Sequence, residues 1–146
     1  GHDDLVSSVH FHHRLDVVCS GSADTRAIVW DANQGAQLCM LPPHLSEITR
    51  VQFLGSNVYD HCLATACTDR LCRLWDIRQQ AQIRALPVPA SRCTTFTTHS
   101  TNHILAAGTD CGDVLAWDLR TFTAIESYDF SVAASGFTKE VTSIAF

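Results

Sequence analysis

Two sets of residues in this chain have the types and order of a nucleophile relay: His2, Ser20 and Asp24, and again His44, Thr65 and Asp69. A hydroxyl beside an imidazole that a carboxylate orients can lose its proton to that imidazole and attack a carbonyl. Such a site also needs an oxyanion hole and a substrate pocket, and nothing in the sequence supplies either. The set also occurs in two successive stretches, where one active site would need it once. Repetition of this kind points to a part that every unit of an array requires.

The array is visible in the tryptophans. Ala27-Ile28-Val29-Trp30-Asp31, Arg73-Leu74-Trp75-Asp76 and Leu115-Ala116-Trp117-Asp118 repeat one phrase, with 45 residues from Trp30 to Trp75 and 42 from Trp75 to Trp117. A period of that size belongs to stacked supersecondary units. Val6, Val9 and Phe11 follow Gly1-His2, and Ile48, Val51 and Phe53 follow Pro43-His44 at the same offsets. The third unit has Cys93, Phe96 and Thr98, with Pro89 in the histidine's place. A fourth opens with Val141, Ile144 and Phe146.

Each unit reads as four short strands rich in Val, Ile, Thr and Trp and parted by Gly, Asn, Asp and Ser. The expected strands are Val6–Phe11, Asp16–Ser20, Arg26–Trp30 and Ala36–Met40 in the first unit. Those of the second are Ile48–Phe53, Cys62–Ala66, Leu71–Asp76 and Gln82–Leu86. Those of the third are Cys93–Thr98, Ile104–Ala107, Val114–Trp117 and Ala124–Tyr128. No useful helical period occurs.

With the Gly/Pro-His, Ser/Thr, Asp and Trp-Asp signature in two units and a degraded form in the third, the chain resembles the WD-repeat β-propeller family over essentially its whole length. The resemblance implies an all-β propeller segment of four-stranded antiparallel blades, each repeat offset so that its first strand completes a neighbour. It also implies a non-catalytic protein, without cofactor, that assembles partners. The two relay sets then become structural tetrads: His2, Ser20, Asp24 and Trp30, and His44, Thr65, Asp69 and Trp75. In each, Asp holds His, His bonds the hydroxyl, and the hydroxyl takes the indole N–H. A buried indole and hydroxyl are costly unless paired, so the network has a physical reason to exist. The third unit has Pro89 and Ala107 at the matched positions, with Asp110 and Cys111 before Trp117. No network is expected there, and that blade should be the softest.

The repeats are expected at 1–42, 43–86 and 87–136, with the start of a fourth at 137–146. Propellers close with roughly four to eight blades, so about three blades form an incomplete ring and leave open sheet edges. A segment of a larger ring of about seven blades is the expectation, with the remainder of that propeller or a larger assembly as one partner. The longest irregular connection, Asp129–Lys139, is a candidate contact loop.

Composition narrows the function classes. Of the 146 residues 46% are hydrophobic and 17% charged, which suits sheets packed on sheets. A net charge of −5 with scattered basic residues argues against direct nucleic-acid binding. No apolar run approaches the length of a membrane-spanning helix. Seven cysteines, an odd count without a Cys-x-x-Cys pair, read as reduced thiols of an intracellular protein. His10 and His12 should share the outward face of the first strand, with Val9 and Phe11 buried. No carboxylate or cysteine lies at matching spacing, so these imidazoles and His13 are read as structural or solvated, with no metal site.

Partner recognition belongs on loops carried by a rigid scaffold. The entrance loops Asp3–Leu5, Leu45–Glu47 and Pro87–Arg92 and the turns Ala23–Arg26 and Thr68–Leu71 should share one side. Asp3, Asp4, Arg26, Glu47, Arg70 and Arg92 are the candidate partner contacts there. Arg78 and Arg120 complete two Trp-Asp-x-Arg boxes. These resemble the boxes of propellers that serve as substrate receptors of cullin-RING ubiquitin ligases, where the arginine helps dock onto an adaptor. The expected function is a protein-interaction scaffold in a multiprotein complex. The alternatives are a ligase substrate receptor, a Gβ-like signalling subunit and a ciliary or transport-complex subunit.

Overall fold

A computed structural model describes residues 1–55, 59–89, 91–99, 101, 103–129 and 140–144. Twelve strands and no helix are found among them. β1 (Val6–Phe11), β2 (Val17–Ser22), β3 (Ala27–Asp31) and β4 (Gln37–Met40) form one antiparallel sheet in that order. β5 (Ile48–Phe53), β6 (Cys62–Cys67), β7 (Leu71–Asp76) and β8 (Ala81–Pro87) form the second. β9 (Cys93–His99), β10 (Ile104–Thr109), β11 (Asp113–Asp118) and β12 (Thr123–Asp129) form the third. Every expected strand is present, with ends shifted by at most two residues. The candidate loop at 129–139 lies almost wholly outside the described residues.

One expectation fails. Among the described residues no strand is lent to a neighbouring sheet, and each blade is built from four consecutive strands. A unit counted from its histidine already ends with its outermost strand, so it needs no offset.

Aspartates close the turns. Asp31 Oδ1 accepts the N–H groups of Asn33 and Gln34, Asp76 Oδ1 those of Arg78 and Gln79, and Asp118 Oδ1 that of Arg120. This turn chemistry is why Asp follows each Trp: its side chain leads the backbone from third strand to fourth.

The blades stack through one repeated contact. Ile48, Val51 and Phe53 of β5 are buried against Cys19, Ala27 and Val29 of the first blade. Cys93 and Phe96 of β9 are buried with Ala64, Ala66 and Leu74 of the second. Small residues let the incoming strand approach. A Cβ on Gly21 would lie 2.6 Å from Ile48 Cγ2 and Val51 Cγ1, and one on Gly108 would lie 2.5 Å from Val141 Cγ1. Ala66 holds the same register in the second blade, where the incoming side chain is the smaller Cys93.

A hydroxyl in each first strand spans the seam. Ser7 donates toward the Ile48 carbonyl, Thr49 to Cys93 at 2.8 Å and Thr94 to Val141 at 2.6 Å. Residues 140–144 therefore sit on the third blade as the first strands of the second and third blades sit on theirs, with Val141 and Ile144 over Gly108.

The same rule inverts the expectation for β1. Val9 and Phe11 are 57% and 67% exposed, whereas their equivalents Val51 and Phe53 are each 1% exposed. Their face is equivalent to the one that β5 turns toward the first blade, and no described residue covers it. Ser8 and His10 instead face the second blade, where Ser8 accepts from Val51 N–H and His10 Nδ1 from Phe53 N–H. His12 is 6% exposed, packed edge-on against Phe53.

Replacing Gly21 by Ala should destabilise the chain by about 2 kcal/mol, because neither branched neighbour can retreat cheaply. Urea denaturation checks this; an unchanged or raised midpoint would show that the seam has slack.

Candidate functional site

In the first blade all four members of the tetrad meet. The Trp30 indole N–H donates to Ser20 Oγ at 2.8 Å, His2 Nε2 lies 2.7 Å from the same oxygen, and His2 Nδ1 lies 2.9 Å from Asp24 Oδ2. Asp24 also accepts the backbone N–H groups of Asp3 and Arg26, tying the entrance loop to the turn. Burial alone would raise the Asp24 carboxyl. The two N–H groups and the His2 ring outweigh it and hold the group at about 2.

The second blade departs from this pattern. Trp75 donates to Thr65 Oγ1 at 2.9 Å and His44 Nε2 lies 2.8 Å from it, but Asp69 is not on the imidazole. Arg73 holds Asp69 through two hydrogen bonds of 3.1 and 2.6 Å, and His44 Nδ1 is buried without a partner. Arg73 pairs across with Thr65, in the register that the apolar Ile28 fills opposite Ser20. A guanidinium there outcompetes a neutral imidazole for the carboxylate. The expected membership of Asp69 is corrected accordingly.

In the third blade Asp110 Oδ1 accepts Arg92 N–H at 2.9 Å, and the Thr109 hydroxyl accepts Asp113 N–H. Asp110 keeps the loop-to-turn tie without a histidine. Around the first tetrad a groove of about 410 Å³ is lined by residues including Val6, Val9 and Trp30. Ser20 Oγ, which lines that groove, is already engaged by an indole and an imidazole.

The fold brings together a cluster that spacing did not reveal: His12, His13 and Asp60, whose potential ligand atoms lie within 4.8 Å of one another. Its geometry is structural. His12 Nε2 donates to the Asp60 carbonyl at 2.7 Å, and Nδ1 accepts the N–H groups of Arg14 and Leu15, so both ring nitrogens are used. Arg14 lies 3.0 Å from Asp60 Oδ2, which sets a cation where a metal would have to compete.

The Trp-Asp-x-Arg arginines lie on the rim. Arg78 and Arg120 fold back onto Asp76 and Asp118, two residues earlier, and both side chains are more than half exposed. Arg120 holds the Asp118 carboxyl at about 2.

The six loop candidates gather at the end of the blades where the tetrad aspartates lie. Asp3 and Arg26 pair at 2.7 Å, and Asp4 Oδ1 accepts Leu5 N–H. Glu47, Arg70 and Arg92 are exposed. Sequence reasoning missed Arg50, also exposed, and Arg73. Both look like ordinary polar strand positions until the register places them.

Twelve strands in three stacked antiparallel blades, with Trp–hydroxyl–His networks in two, define a WD-repeat propeller segment. The family model described as "WD domain, G-beta repeat" matches residues 1–31 and 35–76, half of the chain. The chain belongs to that family. It is similar to the F-box/WD repeat-containing protein sel-10 of Caenorhabditis elegans, at 37% identity over 59% of this chain and 14% of that protein. It is also similar to the probable coatomer subunit beta' of Schizosaccharomyces pombe, at 26% identity over 90% of this chain and 17% of that one. Among solved structures, the computationally designed Ika4 and Ika8 proteins each superpose on the whole chain with a TM-score of 0.81 and 26% identity. The chain covers 82% of Ika4 and 41% of Ika8. It spans less than a fifth of the length of the two curated relatives named.

The buried His44 imidazole, with Nδ1 unpaired, makes a pH prediction. Burial, then the Arg73 charge, lowers His44 from 6.5 to about 4. The folded state thus refuses a proton that the unfolded chain accepts. Stability is full above pH 6.5 and falls as pH drops toward 4, by about 3 kcal/mol for a shift of this size. His10, lowered by burial and by Arg50, acts in the same direction. Urea denaturation between pH 7 and 4 should show this slope, and His44→Gln should flatten it; a slope unchanged by that variant would mean other groups dominate.

Proposed function

We propose that the chain is part of a protein-interaction scaffold, with partners docked on the loop end of the blades. The observation that carries this reading is the ordering of that end. Asp24 and Asp110 tie each entrance loop to its neighbouring turn, and Pro42, Pro43, Pro87 and Pro89 stiffen two of the entrances. Loops that are already ordered lose little entropy on binding. The relatives whose names include an F-box protein and a coatomer subunit support a role within assemblies. An enzyme reading is not favoured, because the one hydroxyl–imidazole–carboxylate set among the described residues is engaged with an indole.

A second reading has its own observation. Arg78 and Arg120 are held alike by the preceding aspartates and expose their remaining donors on two adjacent blades. That pair suits docking onto a ligase adaptor. Affinity purification of the protein from its own cells, with mass spectrometry, separates the readings. A cullin adaptor recovered with wild type and lost with Arg78→Ala/Arg120→Ala supports ligase docking. Partners identical in both leave the two arginines as rim residues and the scaffold reading in place. Recovery of no partner would contradict both.

A further inference from the structure

Three register positions meet at the loop end of every seam between blades. The first is the residue just past the irregularity in the first strand, opposite Gly21, Ala66 or Gly108: Ser8, Arg50 and Thr95 in the three blades. The second is the left-handed residue of the turn between second and third strands: Thr25 at φ 73°, Arg70 at φ 68° and Gly112 at φ 96°. The third comes from the following unit, just before its first strand: Glu47, Arg92 and Glu140.

The seam between the first and second blades therefore carries Ser8, Thr25 and Glu47. The seam beyond the third carries Thr95, Gly112 and Glu140. The seam between the second and third carries Arg50, Arg70 and Arg92. Hydrogen bonds bring the backbones at these three positions together at one seam. Thr49, beside Arg50, donates to the carbonyl of Cys93, beside Arg92, at 2.8 Å. The Arg70 carbonyl accepts from Val88 N–H, at 2.9 Å, in the loop that leads to Arg92.

All three side chains are exposed, and none is in an ion pair among the described residues. Of the six other arginines five are in ion pairs, Arg14 with Asp60, Arg26 with Asp3, Arg73 with Asp69, Arg78 with Asp76 and Arg120 with Asp118, and Arg84 lies over the Phe122 ring. In a chain of net charge −5, three unpaired cations at one seam and none at the equivalent positions of the other two form a specific feature. Arg70 also keeps a left-handed backbone in which glycine or asparagine would be easier.

We propose that this seam binds an acidic peptide segment of a partner protein, with Arg50, Arg70 and Arg92 holding its carboxylates. The inference rests on the scaffold reading above and names the chemistry of its partner. Guanidinium groups bind carboxylates in bidentate fashion, and their spread over two blades requires an extended ligand. Exposed Glu47 and Asp110 flank the patch and confine it, which suits a short acidic stretch and opposes a continuous polyphosphate.

The test is fluorescence anisotropy of a short labelled Glu-rich peptide titrated with the full chain, beside a serine-substituted peptide and a single-stranded RNA. Saturable binding to the Glu-rich peptide alone, weakening with salt, is expected. Arg50→Ala, Arg70→Asn and Arg92→Ala should each weaken it by about threefold, as exposed ion pairs do, and the triple variant by tenfold or more. Arg70→Asn preserves the left-handed turn, and unchanged thermal midpoints show that the variants fold. No saturable binding, binding that survives in the triple variant, or tighter binding of RNA would each overturn the proposal. Partners still recovered by affinity purification would then leave the scaffold reading intact, whereas wild type recovering none would remove that reading as well.

Discussion

A four-stranded sheet has two faces, and strands this rich in Val, Ile, Leu, Cys and Trp are apolar on both. Everything else in this molecule follows from the need to cover them. Each sheet is too small to hold a core of its own, and the two cores among the described residues form between blades. One gathers residues of the first and second blades, the other residues of the second and third. The closeness of that approach depends on side-chain size at a single register. Glycine stands where the incoming strand brings β-branched residues, and alanine where it brings cysteine. The serine and threonine hydroxyls of Ser7, Thr49 and Thr94 then bridge the seam to a backbone carbonyl.

The polar networks serve the same end. An indole N–H within a blade face would be unpaired without the Ser20 or Thr65 hydroxyl, and that hydroxyl would lack a second partner without the histidine. Because the histidine sits in the entrance loop, pairing the indole also anchors that loop. The loop end of the first blade is thereby held by the group that satisfies its interior. This coupling gives a scaffold ordered recognition loops without a separate device for ordering them.

Much of this was legible in the sequence because both the repeat and the strand period are local. The twelve strands could be read from spacing; the two hydroxyl–indole pairs and the side of the blades that carries the loops were implied by the resemblance to the WD-repeat family. Contacts between units could not be read from either. The capture of Asp69 by Arg73 depends on which strand face Arg73 occupies and on its distance from a turn four residues away. The inverted exposure of β1 depends on what lies against it, which alternation within a strand does not report. His12 and Asp60 lie 48 residues apart in sequence, and only the stacking of the first two blades joins them. The three seam arginines look scattered in sequence because two blades and a turn contribute one each.

The central claim is that stability resides in the seams, with the sheets themselves secondary. Residue-resolved hydrogen exchange tests it most directly, by comparing the equivalent central strands β2 and β6. Both are paired on each side within their sheets, but the first blade, unlike the second, has one face that no described residue covers. Amides of β6 should exchange at least about tenfold more slowly than those of β2, a difference of about 1.4 kcal/mol in opening free energy. Equal protection in the two strands would show that each blade is stable alone and would contradict the account.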